Sequence, residues 1–258
     1  MLETFASRFE FQHRTWFIFG IFCVGLSCYW FDPQNSGVVL ARVLHSNVPL
    51  FQALSLRSSI RLVFLVGAFV VALGGLIRAW GAAYLRADVV HDSSVRTERL
   101  VADGPFRYTR NPLYFGLLIG VFGAGPLFSR AGWVVQMALA SVFCYRLIRR
   151  EEAELYLVQG DTFVAYYQAV PRLLPALRAR VSASGELPHW YEAFAAQTPW
   201  WAIAAGEVAY ALTLRLSIAL LVALAGVPVH LAQKRARSNK EKRPPGSGLK
   251  ASISATDK

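Results

Sequence analysis

Acidic residues, cysteine and histidine are all scarce in this chain. Sixteen Asp and Glu stand against 27 Lys and Arg, and charged residues make up only 17% of the 258; soluble domains run nearer a quarter. The three cysteines, Cys23, Cys28 and Cys144, lie inside apolar runs. They exclude a disulfide-built secreted scaffold and read as small buried hydrophobes. Five scattered histidines offer no zinc-site spacing, so no metal site is expected. What the chain has in excess is apolar sequence, 55% of it, gathered into long runs with a mean hydropathy of +0.37. That pattern predicts an all-α, polytopic membrane protein. The formal charge of +11 flanks the apolar runs, which points to anionic lipid headgroups as partners and away from nucleic acid.

The runs predict about five spans. The first, over 15–31, is read as retained and not as a signal peptide, because Tyr29, Trp30, Phe31, Asp32 and Pro33 stand where small cleavable residues would follow. Residues 34–60 are mixed, with Pro49 as a breaker and room for a short interfacial helix. The second span covers 62–85; Gly67, Gly74 and Gly75 permit close helix contact, and Arg78 either snorkels to the interface or points into a polar cavity. Spans over 112–128 and 131–148 meet at Ser129-Arg130 in a tight hairpin. The run 201–232 is too long for one upright span, so it divides into an interfacial or tilted part and a span over 216–231. Glu207 and Arg215 within it could form a buried ion pair. Residues 233–258 read as a disordered basic tail. The expected organisation is therefore 1–61, a core over 62–180, a second membrane segment over 181–232, and the tail. Segments 86–111 and 149–200 carry five arginines each, which places them in the cytoplasm, although the basic tail dissents.

Two polar segments carry the candidate chemistry. Residues 103–116 read DGPFRYTRNPLYFG. Gly104-Pro105 marks a turn, and Asn111 followed by Pro112 suits a helix start, with Asn as N-cap. Unpaired backbone N–H groups at such an end attract an anion, and Arg107 and Arg110 strengthen the pull. The bland alternative is an ordinary capped span. In the second segment a span ends in Arg149, Arg150, Glu151, Glu152 and Glu154. Carboxylates there oppose the helix dipole unless the helix continues, in which case Arg150 and Glu154 pair one turn apart. If the hairpin over 112–148 closes tightly, both segments meet at one membrane surface and enclose a polar pocket.

Read together, the two segments resemble the isoprenylcysteine carboxyl methyltransferase and phospholipid methyltransferase superfamily of integral membrane enzymes. The resemblance rests on Gly104-Pro105-Phe106-Arg107-Tyr108, Arg110-Asn111-Pro112, Tyr114 and Gly116. It continues through Glu151-Glu152, Leu155, Gly160, Phe163, Tyr166, Val170-Pro171-Arg172 and Pro175. It implies S-adenosylmethionine as methyl donor, bound at the cytoplasmic surface, and an amphipathic or lipid-linked acceptor. By carry-over, Gly104, Phe106, Arg107, Tyr108, Arg110, Asn111, Pro112, Tyr114, Glu151 and Glu152 would line the donor site. Glu151 and Arg146 are the candidates nearest the chemistry. Two departures stand out: the family's usual His is Asn111, and its Arg one turn before the Glu pair is replaced by Leu147, with Arg146 five residues before Glu151. The membrane would be the plasma membrane of a bacterium or the endoplasmic reticulum of a eukaryote. Two rivals stay open. A nicotinamide-dependent reductase like the sterol reductases is disfavoured by Leu113 and Leu117. A non-catalytic scaffold or lipid-binding protein of the same fold is kept open by Asn111 and the basic tail.

Overall fold

The computed structural model describes residues 5–85 and 102–241, and among them the chain is helical, with no strand. Helix α1 (Arg8–Gln12) leads into α2 (Arg14–Ser27), and α3 (Ser36–Asn47) and α4 (Pro49–Gln52) precede the long α5 (Leu56–Tyr84). After the 3₁₀ turn Gly104–Arg107 come α6 (Pro112–Gly123), a second 3₁₀ turn Gly125–Leu127, α7 (Arg130–Gln159) and α8 (Asp161–Ala169). Then α9 (Trp190–Ala196), α10 (Thr198–Thr213) and α11 (Leu216–Glu241) complete it. Three of the described helices, α5, α7 and the Leu216–Gln233 part of α11, are long and apolar enough to cross a membrane. Shorter apolar helices lie over Arg14–Trp30 and Pro112–Gly123, so the five expected apolar segments are all helical.

Helices α5 and α6 form the centre. They approach closely because small residues face each other: a Cβ on Gly74 would stand 2.6 Å from the Gly116 carbonyl and 2.6 Å from the Gly120 nitrogen. The core continues through Phe64, Val71, Leu117, Val121, Phe143 and Leu147, while Phe17 of α2 stacks on Phe143 of α7.

The predicted hairpin forms, but its first arm is shorter than expected. Helix α6 stops at Gly123, and Gly125–Leu127 turns as a 3₁₀ segment where the sequence suggested span as far as Phe128. Its 12 residues extend only ~18 Å. Ser129 caps α7 by accepting from the Gly132 N–H at 3.0 Å. The turn is clamped from the N-terminal side. Asn35 donates to the Pro126 carbonyl at 2.8 Å, and the Ser36 hydroxyl donates to that of Gly125 at 2.6 Å. Asp32 accepts from the Ala131 N–H at 2.8 Å.

Two further expectations change. The 201–232 run folds as a helical hairpin, with Leu214 in the left-handed region (φ 55) between α10 and α11. Gly206 lies against the Ala219 carbonyl and Gly226 against Ala202, the crossing pattern of an antiparallel pair. Glu207 and Arg215 do not pair. Glu207 is 0% exposed beside Gly67, whereas Arg215 is exposed beyond the turn. The basic tail also starts later than expected, since α11 runs to Glu241. The rest of the tail and Arg86, Arg96 and Arg99 lie outside the described residues.

Candidate functional site

Helix α7 does not end at Ile148, where the apolar run stops. It runs on past Ile148 to Gln159, so the acidic residues are mid-helix and their clash with the dipole disappears. Gly160, at φ +51, then turns the chain into α8. Arg150 and Glu154 make the expected pair at 2.7 Å.

Glu151 and Glu152 point to different places. The Tyr114 hydroxyl, from the first turns of α6, donates to Glu151 Oε1 at 2.6 Å. That bond joins the two outer ends of the hairpin, as the tight turn requires. Glu152 is fully engaged. Arg110 reaches its Oε1 at 3.0 Å, and Arg172 reaches its Oε2 at 2.9 Å. The Arg110 side chain is 7% exposed and that of Glu152 8%. Arg110 also donates to the carbonyls of Tyr167 and Val170 and lies 3.9 Å over the Tyr167 ring. The guanidinium expected to attract an anion is therefore compensated internally.

Asn111 sits at the N-cap position of α6, but its side chain does not cap. Its amide donates to the Arg172 carbonyl at 2.9 Å, so the capping role expected for it is taken up by tertiary docking instead. Pro112 follows as the first helical residue, as predicted.

The 104–111 stretch docks along 170–186. The Arg110 N–H reaches the Pro171 carbonyl at 2.9 Å, Ala176 N–H reaches Tyr108 at 2.9 Å, and Arg180 N–H reaches Arg107 at 2.8 Å. Arg107 Nε donates to the Val181 carbonyl at 2.9 Å. Gly104 has φ +55, and the Tyr84 ring would lie 2.3 Å from an added Cβ. Tyr166 donates to the buried Phe106 carbonyl at 2.8 Å, and burial raises its phenol pKa. Tyr108 stands beside Trp80, ring centroids 6.0 Å apart.

Asp103 anchors the same stretch. It is 2% exposed and accepts from the Ser184 N–H at 2.8 Å, the Glu186 N–H at 2.9 Å and the Ser184 hydroxyl. Burial alone would raise its carboxyl pKa; the side-chain bond from Ser184 and the backbone N–H groups of Glu186, Ser184 and Gly185 outweigh it and hold the group below its usual value.

Arg146 stands apart from the Tyr114–Glu151 pair. It binds Glu10 at 2.8 Å and the Phe5 carbonyl at 3.2 Å, which fastens the N-terminal segment to α7. Sequence reasoning quoted Arg172 only as part of a motif and gave Asp103 no role, although both organise the docked stretch. The signal for Arg172 was the Val170-Pro171-Arg172 triplet; Asp103 carried none beyond preceding the Gly104-Pro105 turn.

The predicted residues thus form three groups: a locked set of Arg110, Asn111 and Glu152; a docked stretch from Gly104 to Tyr108; and the Tyr114–Glu151 pair, whose carboxylate keeps capacity to accept. Residues 62–157 match the family model of phospholipid methyltransferase. The match bears out the resemblance over that segment. The chain is also 28% identical over 116 residues to the cobalt-zinc-cadmium resistance protein CzcN of Cupriavidus metallidurans, covering 45% of this chain and 50% of that one. It is 28% identical over 124 residues to the nickel-cobalt-cadmium resistance protein NccN of Alcaligenes xylosoxydans xylosoxydans, covering 48% and 55%. The chain spans about half the length of these curated relatives. No solved structure matches.

Proposed function

We propose that this protein is a membrane-embedded, S-adenosylmethionine-dependent methyltransferase that acts on a lipophilic or lipid-linked acceptor. The observation that carries the reading is the Tyr114–Glu151 hydrogen bond across the outer ends of the α6–α7 hairpin, within the segment that matches the family model. Residues 62–180 form the catalytic core in this reading, and 181–232 add a second membrane segment. The arginine-rich segments support a donor site facing the cytoplasm.

The donor set fits a sulfonium amino acid. Glu151 has acceptor capacity for an ammonium or hydroxyl donor, and Tyr114 fixes the carboxylate's orientation. Phe106, Arg107 and Tyr108 belong to the docked wall, and Asn111 and Pro112 set where α6 begins. Arg110 and Glu152 hold that wall to α7 and act by positioning. Bound there, S-adenosylmethionine would supply a methyl group that an acceptor lone pair takes as the carbon–sulfur electron pair returns to sulfur. The protein's own work is then alignment and exclusion of water. No general base is required for a carboxylate acceptor, which suits Asn111 in place of a histidine. Metal tolerance, for which both relatives are named, is compatible with methylation of an envelope lipid.

The test supplies methyl-labelled S-adenosylmethionine to the purified protein in the presence of a host lipid extract. The expected result is label in the organic phase, abolished by Glu151→Ala. Folded protein that leaves the organic phase unlabelled across all lipid classes would overturn the reading.

A further inference from the structure

Arg78 is the one residue whose sequence reading left two destinations open. The structure turns it inward. Its Nε donates to Gln197 Oε1 at 2.9 Å and its Nη1 to the Leu113 carbonyl at 2.8 Å. Its guanidinium lies 5.7 Å from the Trp200 ring centroid, and Gly116 leaves room for its stem. Leu113 directly precedes Tyr114, so the guanidinium sits at the level of the Tyr114–Glu151 pair.

Two features make this more than a buried structural arginine. Among the described residues no carboxylate lies within ion-pair distance of Arg78; its two hydrogen-bond partners are neutral oxygens. By contrast Arg110 and Arg172 are compensated by Glu152, Arg146 by Glu10 and Arg150 by Glu154. An uncompensated cation on a membrane helix is costly, and where one persists it faces a polar path or a ligand. Secondly, the residue keeps partial exposure. Gln197 and Trp200, which orient it, belong to α10 and its N-cap, outside the family-matched 62–157. The segment before and within α10 therefore brings Gln197 and Trp200 against an arginine of the family-matched segment.

We propose that Arg78, held by Gln197 and by the Leu113 carbonyl one residue before Tyr114, receives the oxyanion of a membrane amphiphile. Taken with the methyltransferase reading, on which this part rests, that amphiphile is the methyl acceptor, and its anionic head is a carboxylate or a phosphate. A guanidinium is suited to either, because its planar fork matches both groups. The acyl or prenyl chain stays in the bilayer while the head enters between α5, α6 and α10.

The test measures equilibrium binding of three probes to the full-length protein in nanodiscs: farnesylthioacetic acid, its neutral methyl ester, and dihexanoyl phosphatidic acid. S-adenosylmethionine binding is measured alongside. Wild type is expected to bind at least one anionic probe about tenfold or more tightly than the ester, the scale of one charge-assisted hydrogen bond. Whether the acid or the phosphatidic acid binds more tightly identifies the head group. Arg78→Gln should remove that preference, Arg78→Lys should keep part of it, and Gln197→Ala should weaken it, with S-adenosylmethionine binding changed by less than about twofold. Equal binding of acid, phosphate and ester by wild type would overturn the proposal, even if Arg78→Gln fails to fold. So would a preference that survives Arg78→Gln, or a variant that loses S-adenosylmethionine and keeps the preference, which would assign Arg78 to the donor. Arg78-dependent binding of the anions with no S-adenosylmethionine binding would retain the oxyanion site and reject the methyltransferase reading.

Discussion

Glu151 and Glu152 are neighbours in sequence with opposite circumstances. Glu152 holds two arginines and is nearly sealed; Glu151 meets one tyrosine hydroxyl. Their substitutions should therefore separate stability from function. Glu152→Gln leaves Arg110 and Arg172 uncompensated in a largely buried place and should lower stability by about 3 kcal/mol. Thermal unfolding in detergent would read this directly. Glu151→Gln should leave stability within about 1 kcal/mol, because an amide oxygen still accepts from Tyr114. Asp103 gives a pH signature. Its folded carboxyl titrates below the unfolded one, so its contribution is complete above the unfolded pKa of about 4 and is lost as pH falls through the folded value. Wild type should thus be more stable than Asp103→Asn near neutrality, and the two should converge in acid. A constant gap between them at all pH values would reject this assignment. The sequence marked the two glutamates as a pair but could not divide their roles. That division depends on Arg172, which lies 20 residues beyond Glu152 and is brought back by the Gly160 turn.

At the level of elements, the small-residue contact between α5 and α6 sets the geometry of the pair at the hairpin mouth. Gly74→Ala would push a methyl group into the Gly116 carbonyl and the Gly120 backbone, neither of which is a flexible side chain. A loss of about 1–3 kcal/mol is expected, with lower donor binding as α6 shifts; unchanged melting would contradict the packing described. Glu207 should behave in the opposite way. Its two oxygens are buried with no hydrogen-bond partner among the described residues, so Glu207→Leu is expected to be neutral or to stabilise by about 1 kcal/mol. These contacts were partly legible. Gly67, Gly74 and Gly75 marked the tight face of α5, whereas the turn expected at Ser129-Arg130 begins earlier, at Gly125. The depth of α10 was half legible: the ion pair considered for Glu207 anticipated its burial, but not that Arg215 lies exposed beyond the turn. The Gly206 and Gly226 contacts that pair α10 with α11 become visible only in three dimensions.

For the molecule as a whole, the fold class followed from composition, since an apolar excess in long runs leaves helices as the simplest way to satisfy the backbone in lipid. The site was legible as two segments brought together by a hairpin. What stayed hidden was that most of its polar residues spend their hydrogen bonds on each other, a consequence of docking 104–111 along 170–186. The central claim is donor binding at the Tyr114–Glu151 pair. It is tested most directly by calorimetry of S-adenosylmethionine with the detergent-purified protein beside Glu151→Ala. Saturable binding by wild type that the variant loses while remaining folded is the predicted result; no binding by folded wild type, or equal binding by both, would contradict the account.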